Sequence, residues 1–480
     1  MHTIINKSNK KLWAGAIAQP AQEFPPTQLL ILSGKIPQGL QGTLYRNGPA
    51  RLERGGKHIG HWFDGDGAIL AVHFTDAGAT AVYRYVQSDG YKEEDRAGTL
   101  LYGNYGMTAP GPFWNQWFKP LKNAANTSVL ALPDKLLALW EAGNPHALDL
   151  QTLNTLEKDD LGTLNGELPY SAHPKIDPKT GEIFNFGISP GLNAKLNIYK
   201  SDSTGKIQQK TSFELDGISL VHDFVLAGQY LIFFVPPLRV NLLPVLARLS
   251  CLSDALEWKP QIGTQFLVFD RENLSLVSRG ETEPWYQWHF GNGYVDESGM
   301  AIANIVRYED FQTNQFLKEV ATGDTHTLAV STLWEVKIDP IQGKVEATQE
   351  IMDLHCEFPV VPPQERAQGD HQTYLVVYPH RKDNRNELFT AIARFDHKTD
   401  TLTIADCGDR YPSEPIYVPD PERSASGWVI TVVYDGNADR SEVWVFDSDR
   451  LDEEPVCKLG LPSVIPHSFH GTWKPAKNSC

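Results

Sequence analysis

The sequence predicts an all-β protein, a seven-bladed β-propeller, and three observations favour this fold. Apolar runs of four to eight residues alternate with turn signals such as KTGE, DESG and HKTD, while helical periodicity is scarce. A strand that ends in Asp and is followed by a turn recurs along the whole chain. Histidines at the starts of apolar runs lie far apart, and a circular fold would bring them together.

Composition supports a globular chain with a large core. The 480 residues are 41% hydrophobic and include 38 Gly and 32 Pro, which suits a turn-rich β-protein. A net charge of −16 argues against a nucleic-acid partner, because phosphate binding needs a basic surface. Residues 1–13 lack the apolar core of about 7–15 residues that a signal peptide needs, and no stretch approaches about 18 consecutive apolar residues, so we expect neither a signal peptide nor a membrane span. Five widely spaced cysteines without a C-x-x-C motif favour a reducing, cytoplasmic location.

The repeated strand–Asp–turn pattern defines the predicted blades. Its copies lie about 50 to 75 residues apart, close to the length of one four-stranded blade with insertions. Six copies are clear and a seventh, at Asp76, is weaker; the others are at Asp149, Asp202, Asp270, Asp339, Asp396 and Asp447. We therefore treat residues 1–480 as a single propeller domain with a short N-terminal extension of about residues 1–30. Radial packing of the blades then brings their first strands to a central axis.

Two segments depart from the blade pattern. Residues 102–121 contain PGPFWNQWFKPL, and residues 236–256 read PPLRVNLLPVLARLSCLSDAL, with apolar spacing for a short helix. We expect both to leave the blades and to form loops and short helices. They can serve as lids on the propeller face or as an apolar surface patch through which a lipophilic substrate enters, and these two roles are compatible.

Four histidines are candidate metal ligands, since each stands at the start of a strand-like run. They are His173 in SAHPKID, His222 in LVHDFVL, His289 in WYQWHFGNGY and His470 in IPHSFHGTW. Their wide separation excludes a local zinc motif, whose ligands come in short spacings. His467 competes with His470 for the fourth place, and the residue pattern alone does not decide between them. An all-imidazole site without thiolates suits iron, copper, nickel or zinc.

Three glutamates are candidate partners of these histidines. Neutral imidazoles leave the charge of a divalent ion uncompensated, so carboxylates behind them would stabilise a buried site. A carboxylate that accepts the distal N–H also fixes the tautomer and the direction of the ring. Glu141 in LALWEAGNPH, Glu357 in CEFPVV and Glu414 in SEPIYVP occur in apolar surroundings. An exposed position at the rim is the alternative for each of them.

The chain resembles the carotenoid cleavage oxygenases almost from end to end, most of all the cyanobacterial apocarotenoid oxygenases. The segments that carry the resemblance are LQGTLYRNGPA, HWFDGDGAI, NAANTSVL, LALWEAGNPH, SAHPKIDP, LVHDFVL, CEFPVVPP, SEPIYVPDP and HGTW. The resemblance implies a seven-bladed propeller with a dome of loops and short helices over one non-haem Fe(II) per chain. It also implies that His173, His222, His289 and His470 are the iron ligands.

The resemblance further assigns roles around the iron. Glu141, Glu357 and Glu414 match three outer glutamates, which are expected to support His222, His289 and His470 respectively, while His173 has no such partner. Thr127 in ANTS matches a threonine whose methyl group blocks one open coordination site. The other open site is then left for O₂ or water.

The sequence departs from the family pattern after His289. Phe290 and Gly291 precede Asn292 as expected, but Gly293 and Tyr294 stand where the family usually has Ala and then Trp or Phe. His289 is nevertheless the candidate, because this region contains no other histidine.

The implied activity is cleavage of a conjugated C=C bond of a carotenoid or apocarotenoid by O₂, which gives two carbonyl products. Within the family, a stilbene-cleaving dioxygenase or a retinoid-type isomerase is the alternative. Outside it, the alternative is a non-enzymatic propeller that binds a ligand. The expected partners are a lipophilic polyene and O₂, with no obligate protein partner.

We also expect peripheral attachment to a membrane. The aromatic residues Phe113, Trp114, Trp117 and Phe118 and the apolar segment 242–256 occur among few charges, which suits the interfacial region of a bilayer. Carotenoids reside in bilayers, so this surface would lie where the substrate is found.

Overall fold

The computed structural model describes residues 11–476 except 113, 116–118, 166–167, 192, 248, 370, 381–385 and 424–425, and it leaves the side chains of residues 242 and 246 undescribed. The described residues form seven antiparallel sheets of four to six strands, with two further two-stranded sheets outside them. The seven sheets are the blades of a β-propeller, as the sequence predicts. We number the blades I to VII in chain order.

Five blades have four strands each, which follow one another in sequence from the axis to the rim. Their strands are Ser128–Ala131, Leu136–Leu139, His146–Leu148 and Thr155–Lys158 in blade II; Lys175–Ile176, Ile183–Ser189, Lys195–Ser201 and Ile207–Glu214 in blade III; Val225–Ala227, Tyr230–Val235, Thr264–Asp270 and Leu276–Thr282 in blade IV; Tyr286–Val295, Ala301–Tyr308, Ser331–Asp339 and Lys344–Met352 in blade V; and Cys356–Val360, Gln372–Val377, Ala391–Asp396 and Thr401–Asp406 in blade VI.

Blades I and VII combine strands from distant parts of the chain. From axis to rim, blade I consists of Gly471–Pro475, Gly42–Arg51, Asp66–Thr75, Gly78–Tyr85 and Phe24–Gln28. In blade VII the short inner strands Arg410–Pro412 and Ile416–Pro419 both pair with Gly427–Asp435, and Arg440–Asp447, Cys457–Gly460 and Leu30–Gly34 follow outward. Backbone hydrogen bonds thus close the ring twice, at the axis of blade I and at the rim of blade VII.

The predicted N-terminal extension of about residues 1–30 is part of the propeller from Leu12 onward. A 3₁₀ helix, Leu12–Ile17, buries Trp13 completely. The next segment, Phe24–Gln28, is already a blade strand. The short apolar stretches of this region gave no sign of their partners, because those partners lie in blades I and VII.

The aspartate pattern marks the same point in every blade, the end of the third strand. Oδ1 of Asp270 accepts the N–H groups of Glu272 and Asn273 at 2.9 and 3.0 Å, and Asp149, Asp339 and Asp396 make the equivalent pair of bonds. Such Asx turns reverse the chain toward the outer strand. Asp76, the weaker copy, instead accepts a hydrogen bond from Gln41.

Apolar side chains between neighbouring blades form the core. Between blades III and IV, Phe224 stacks on Phe233 with ring centroids 5.0 Å apart and meets Phe186 edge-on at 5.7 Å. Burial of one such side chain contributes about 1.5–3 kcal/mol. Because every blade packs against two neighbours in this way, the ring holds its inner strands in fixed positions at the axis.

Segments that leave the blades form a roof over one end of the axis. Its helices are α1 (Asp89–Ala97), α2 (Leu242–Leu246), α3 (Leu252–Ala255) and α4 (Gln312–Val320), and its other short elements are the strand pairs Glu53–Arg54 with Lys57–His58 and Leu238–Val240 with Leu256–Trp258 and the 3₁₀ helices Trp62–Asp64 and Pro260–Ile262. The 3₁₀ helices Pro363–Glu365 and Ser448–Arg450 follow the first strand of blade VI and the third strand of blade VII, at the opposite end of the blades. Hydrogen bonds join α4 to the two segments that depart from the blade pattern, 102–121 and 236–256, which we call the excursions. Tyr105 Oη donates to Asn314 Oδ1 at 2.7 Å, and Asn314 Nδ2 donates to Ser253 Oγ at 3.0 Å. No helix within the described part of the chain is long and apolar enough to cross a bilayer.

Candidate metal centre

Four buried histidines from four blades converge at the propeller axis. Their ligand nitrogens all lie within 4.8 Å of one another. His173 and His222 directly precede the inner strands of blades III and IV, His289 lies within the inner strand of blade V, and His470 precedes the ring-closing strand of blade I. The propeller therefore brings together side chains that are almost 300 residues apart in the sequence.

The spacing of the imidazoles suits a metal ion. Nε2 of His173 lies 2.8 Å from Nε2 of His222, and Nε2 of His289 lies 3.1 Å from Nε2 of His470. Two nitrogens bound at a right angle, each about 2.1 Å from an ion, would be about 3 Å apart. The two measured distances agree with that separation.

Each of the three predicted glutamates lies beside one of the histidines. Glu357 Oε2 is 2.6 Å from Nδ1 of His289, and Glu414 Oε1 is 2.9 Å from Nδ1 of His470. Glu141 Oε1 is 3.3 Å from Nδ1 of His222. These are the pairs that the family resemblance implies.

The hydrogen bonds to Glu357 and Glu414 determine what their histidines offer at the axis. A neutral imidazole that donates Nδ1–H to a carboxylate carries only a lone pair at Nε2. When both rings are neutral, His289 and His470 direct two lone pairs at each other across 3.1 Å, which is repulsive unless a cation lies between them. The donor set therefore fits a bound metal ion.

The pKa values of the four imidazoles reflect burial and the nearby carboxylates. Burial lowers the pKa of His173 and of His222 well below the usual range, and the neighbouring imidazoles add to this effect. Burial also lowers the pKa of His470, although Glu414 opposes the shift. For His289, Glu357 outweighs burial and raises the pKa. A neutral imidazole is the form that binds a metal, so the centre favours the ligand state in three of the four rings.

The glutamates have different groups behind them. Glu357 Oε1 accepts a hydrogen bond from Tyr308 Oη at 2.7 Å. Glu414 Oε2 accepts the Gly471 N–H at 2.7 Å and lies 3.4 Å from Nη1 of Arg46. Burial and the charge of Asp223 raise the pKa of Glu141 well above its usual range, whereas the facing imidazoles outweigh burial and lower the pKa of Glu357 and Glu414.

The sequence reasoning did not identify Tyr308 and Arg46. For Arg46 a signal was present, because an arginine stands in the strand-like run GTLYRNGPA, where a buried charge demands a partner. For Tyr308, an aromatic residue at the end of a strand, the sequence gave no such signal.

Thr127 and His467 have distinct positions relative to the four histidines. Thr127 precedes the inner strand of blade II, lines the cavity next to the group, and accepts the His470 N–H at its carbonyl oxygen at 3.3 Å. His467 donates from Nε2 to the carbonyl oxygen of Trp13 at 2.8 Å. The structure thus includes His470, and not His467, in the metal group.

A cavity of about 750 Å³ extends from the histidines beneath the roof. Its walls are mainly apolar and include the aromatic rings of Trp140, Phe186, Trp288 and Phe389. The volume lies in the range of about 300–1,000 Å³ that is typical of small-molecule sites. A lipophilic molecule in this cavity would reach the metal group at its inner end.

Phe358 lies directly over two of the imidazoles. Its ring stacks on His289 with centroids 5.1 Å apart and meets His470 edge-on at 5.2 Å. Its φ of +56° is unusual for a bulky residue and coincides with a register shift in the inner strand of blade VI. A costly backbone conformation thus turns this aromatic ring toward the metal group.

Exposed apolar side chains occur on both excursions beside the cavity. Leu243 is 79% exposed, Leu249 82%, Trp114 53% and Leu121 54%. Leu121, Val245 and Ser250 also line the cavity, so its mouth opens near these side chains. The other predicted membrane contacts, Phe113, Trp117 and Phe118, lie outside the described residues.

Comparisons with known proteins agree with this geometry. The family model described as retinal pigment epithelial membrane protein, RPE65, matches residues 17–475. An apocarotenoid-15,15'-oxygenase from Synechocystis is 32% identical, over 92% of this chain and 92% of that protein. The carotenoid 9,10(9',10')-cleavage dioxygenase 1 of Arabidopsis thaliana is 27% identical, over 95% and 88% of the two chains. The structure of cobalt-substituted Synechocystis ACO superimposes with a TM-score of 0.89 at 30% identity, covering 97% of this chain and 98% of that one.

Proposed function

The chain belongs to the RPE65 family of carotenoid cleavage oxygenases, and from this we propose that it is a non-haem Fe(II) dioxygenase that cleaves a conjugated C=C bond of a carotenoid or apocarotenoid into two carbonyl products. The observation that carries the proposal is the group of four buried imidazoles at the inner end of an apolar cavity. That arrangement combines a metal site with room for a polyene.

One iron per chain would be held by His173, His222, His289 and His470. Ligand type alone also permits copper, nickel or zinc, but zinc has no redox chemistry and the relatives are oxygenases. When bound, the iron supplies the activation of O₂ for cleavage of the double bond. Glu141, Glu357 and Glu414 orient the imidazoles behind it and offset its charge. We assign to Thr127 the role of limiting access to one open coordination position with its methyl group.

The remaining task of the protein is to hold one double bond beside the metal. The aromatic walls at Trp140, Trp288 and Phe358 give the cavity a fixed shape and exclude water from the reacting region. Binding then depends on burial of apolar surface, which suits a long polyene.

The cavity favours a polyene over a phenolic stilbene. Cleavage of a stilbene would need a lysine and a tyrosine that ionise the phenol. Within the described lining, the lysine is Lys119, which lies 3.3 Å from Glu93 and stacks over the ring of Tyr102 at 4.6 Å. Among the lining tyrosines, Tyr308 Oη donates a hydrogen bond to Glu357 and Tyr105 Oη donates one to Asn314. Lys119 and these two tyrosines are therefore already engaged.

Isotope labelling tests the reaction. The protein is loaded with Fe(II) under anaerobic conditions, mixed with an apocarotenal and exposed to ¹⁸O₂. We expect two carbonyl products with one ¹⁸O atom each. A geometric isomer formed without O₂ uptake would indicate the isomerase instead.

Metal analysis separates an enzyme from a binding module. We expect one iron per chain, and we expect the His222→Ala variant to lose it while it keeps the circular dichroism spectrum of the folded protein. A protein that contains no transition metal and returns the polyene unchanged after aeration would be a binding module.

We further propose that the protein works in the cytoplasm and attaches peripherally to a bilayer through Trp114 and the 242–256 segment, together with Phe113, Trp117 and Phe118. The exposure of Leu243 and Leu249 supports this proposal, because exposed apolar side chains beside a cavity mouth are typical of a lipid-facing entrance. A lipophilic substrate could then enter without crossing water.

A further inference from the structure

A buried polar pair in blade I contacts three segments that reach the propeller axis. Arg46 and Asn47 lie in the strand Gly42–Arg51, directly beside the strand that follows His470. Their exposed fractions are 1% and 0%. Buried polar groups are rarely left without hydrogen-bond partners, so the contacts of the donor groups of Arg46 and Asn47 indicate what these residues hold in place.

Arg46 joins Glu414 to the residues in front of His470. Its Nη1 donates to the Glu414 carbonyl oxygen at 2.7 Å and lies 3.4 Å from the Glu414 carboxylate. Its Nε and Nη2 donate to Ser468 Oγ at 3.1 and 2.9 Å, and Nη2 also donates to the Phe469 carbonyl oxygen at 3.1 Å. A planar guanidinium that bonds on both sides fixes the distance between the two groups. Arg46 thereby sets the separation of Glu414 from His470.

Asn47 joins His470 to the residues around Thr127. Its Nδ2 donates to the carbonyl oxygens of Ala125 and Ser128 at 3.0 and 2.9 Å. Its backbone N–H donates to the His470 carbonyl oxygen at 2.9 Å, and the Phe469 N–H returns to the Asn47 carbonyl oxygen at 2.9 Å. Asn47 thus fixes the position of the start of blade II relative to the ring-closing strand Gly471–Pro475.

Gly48 permits this close approach. A Cβ atom at position 48 would lie 2.6 Å from Cα of Ser468, which is closer than real contacts allow. In the Arg-Asn-Gly sequence, the guanidinium of Arg46 and the bare position 48 therefore face the segment that carries His470, while the amide of Asn47 faces the start of blade II.

We propose that Arg46 and Asn47 are positioning residues that clamp His470, Glu414 and Thr127 into the geometry that binds the metal. The inference rests on the proposed metal function. The clamp explains how a ligand at the far end of the sequence reaches the axis with the same accuracy as ligands inside continuous blades. Loss of the clamp displaces His470 relative to the other three histidines and weakens metal binding, while the blades remain folded.

Titration of the metal-free protein with Co(II) tests the clamp, with visible absorption reporting ligand geometry and circular dichroism reporting the fold. We expect Arg46→Met to reduce Co(II) affinity by about 10–100-fold and to alter the spectrum, as losses of outer partners of metal ligands do. Arg46→Lys keeps a charge opposite Glu414 and should restore part of the affinity. Unchanged affinity and spectrum in folded Arg46→Met would overturn the proposal.

Arg271→Met is the matched control. Arg271 also joins two blades through partly buried ion pairs, since Nη2 lies 2.5 Å from Asp177 and 3.1 Å from Glu182. It follows the third strand of blade IV, however, at the end of the blades opposite the histidines. The Arg271→Met substitution should lower the melting temperature and leave the Co(II) affinity and the Co(II) spectrum at wild-type values. Equal loss of affinity in both variants would show that general destabilisation is the cause, and the clamp would be rejected.

A double-mutant cycle tests whether Arg46 acts through Glu414. If it does, Arg46→Met should cost less affinity in the Glu414→Gln background than in the wild type. Equal costs would contradict the link.

Asn47→Ser provides a second test if Arg46→Met does not fold, since it removes the Nδ2 donors and keeps the backbone hydrogen bonds. We expect this variant to bind Co(II) more weakly than the wild type. Co(II) binding at the wild-type level would reject the role of Asn47. A wild-type protein that binds neither Co(II) nor Fe(II) would contradict the proposed function itself.

Discussion

Glu357 Oε2 and His289 Nδ1 lie 2.6 Å apart, closer than Glu414 to His470 at 2.9 Å and Glu141 to His222 at 3.3 Å. A short bond between a carboxylate and an N–H group is the strong kind, and its loss affects the imidazole most. We therefore expect the three glutamates to contribute unequally to metal binding, although each of them lies beside Nδ1 of its histidine.

Replacement of Glu357 by Gln should weaken metal binding by about 10–100-fold, because the amide keeps the shape but not the charge that orients His289. Glu141→Gln, with the longer contact, should have the smaller effect. The measurement is the metal dissociation constant of each folded variant. A larger loss in Glu141→Gln would contradict the order that the distances give.

His470→Ala should abolish stoichiometric metal binding, whereas His467→Ala should retain it. The two residues are three positions apart, but His467 donates its Nε2–H to the Trp13 carbonyl oxygen. Loss of this hydrogen bond in His467→Ala should lower the free energy of unfolding by about 1–3 kcal/mol, because it leaves a buried carbonyl oxygen without a partner. Metal analysis and urea unfolding of both variants check these outcomes. Metal loss in His467→Ala would show that the wrong histidine is assigned.

Phe358→Gly should be more stable than Phe358→Ala. Both remove the ring that stacks on His289, but the φ of +56° remains unfavourable for Ala and is free of strain for Gly. The free energies of unfolding should differ by about 0.5–1 kcal/mol, after allowance for the greater conformational entropy that Gly has in the unfolded chain. Urea unfolding of the two variants measures it. Equal stabilities would mean that the backbone relaxes once the phenyl ring is gone.

Leu249→Asp and Leu243→Asp should reduce binding to liposomes. These side chains are 82% and 79% exposed beside the cavity mouth, and a charge there opposes insertion into the interface. Ile341→Asp is the control, since Ile341 is 66% exposed on the hairpin between the third and fourth strands of blade V. Flotation with liposomes compares the three variants. Equal flotation of all three would reject attachment at the cavity mouth.

Glu319 should give the protein a component of stability that acid removes. Burial on its own raises the pKa of Glu319, but hydrogen bonds from Thr327 and from the N–H of His326 outweigh it and lower the pKa to about 2. A carboxyl whose pKa falls on folding stabilises fully above its usual value of 4.5, and this contribution is lost as the pH falls through about 2. Urea midpoints should show wild type above Glu319→Gln at pH 6 and a shrinking difference toward pH 2. A constant difference would exclude the carboxylate as the cause.

Local features of the sequence predicted the repeat of the fold. The aspartates at the ends of third strands are readable because their Asx turns involve residues only two or three positions away. Asp76, the weaker copy in the sequence, does not form this Asx turn and instead accepts a hydrogen bond from Gln41. Four histidines at strand starts were readable for a similar reason, since each blade repeats the same local order.

Features that depend on distant partners were not predictable from the residues. Nothing near positions 467 and 470 shows which imidazole faces the axis, because Trp13 decides it from the other end of the chain. An arginine within a strand-like run indicates a buried charge at position 46, but its partners Glu414 and Ser468 are too far away in sequence to be identified from it. The sequence predicts an N-terminal extension because the strands that pair with Phe24–Gln28 and Leu30–Gly34 cannot be recognised from these short segments alone.

The ring-closing strand Gly471–Pro475 also carries a consequence for assembly, because it immediately follows His470. On the ribosome the first three histidines emerge well before the fourth, so a nascent chain holds an incomplete chelate until nearly all of its blades have formed. We therefore expect metal capture to wait until Gly471–Pro475 has paired with Gly42–Arg51. In the reverse direction, a chain that opens at the seam of blade I should release its ion while the other six blades are still intact.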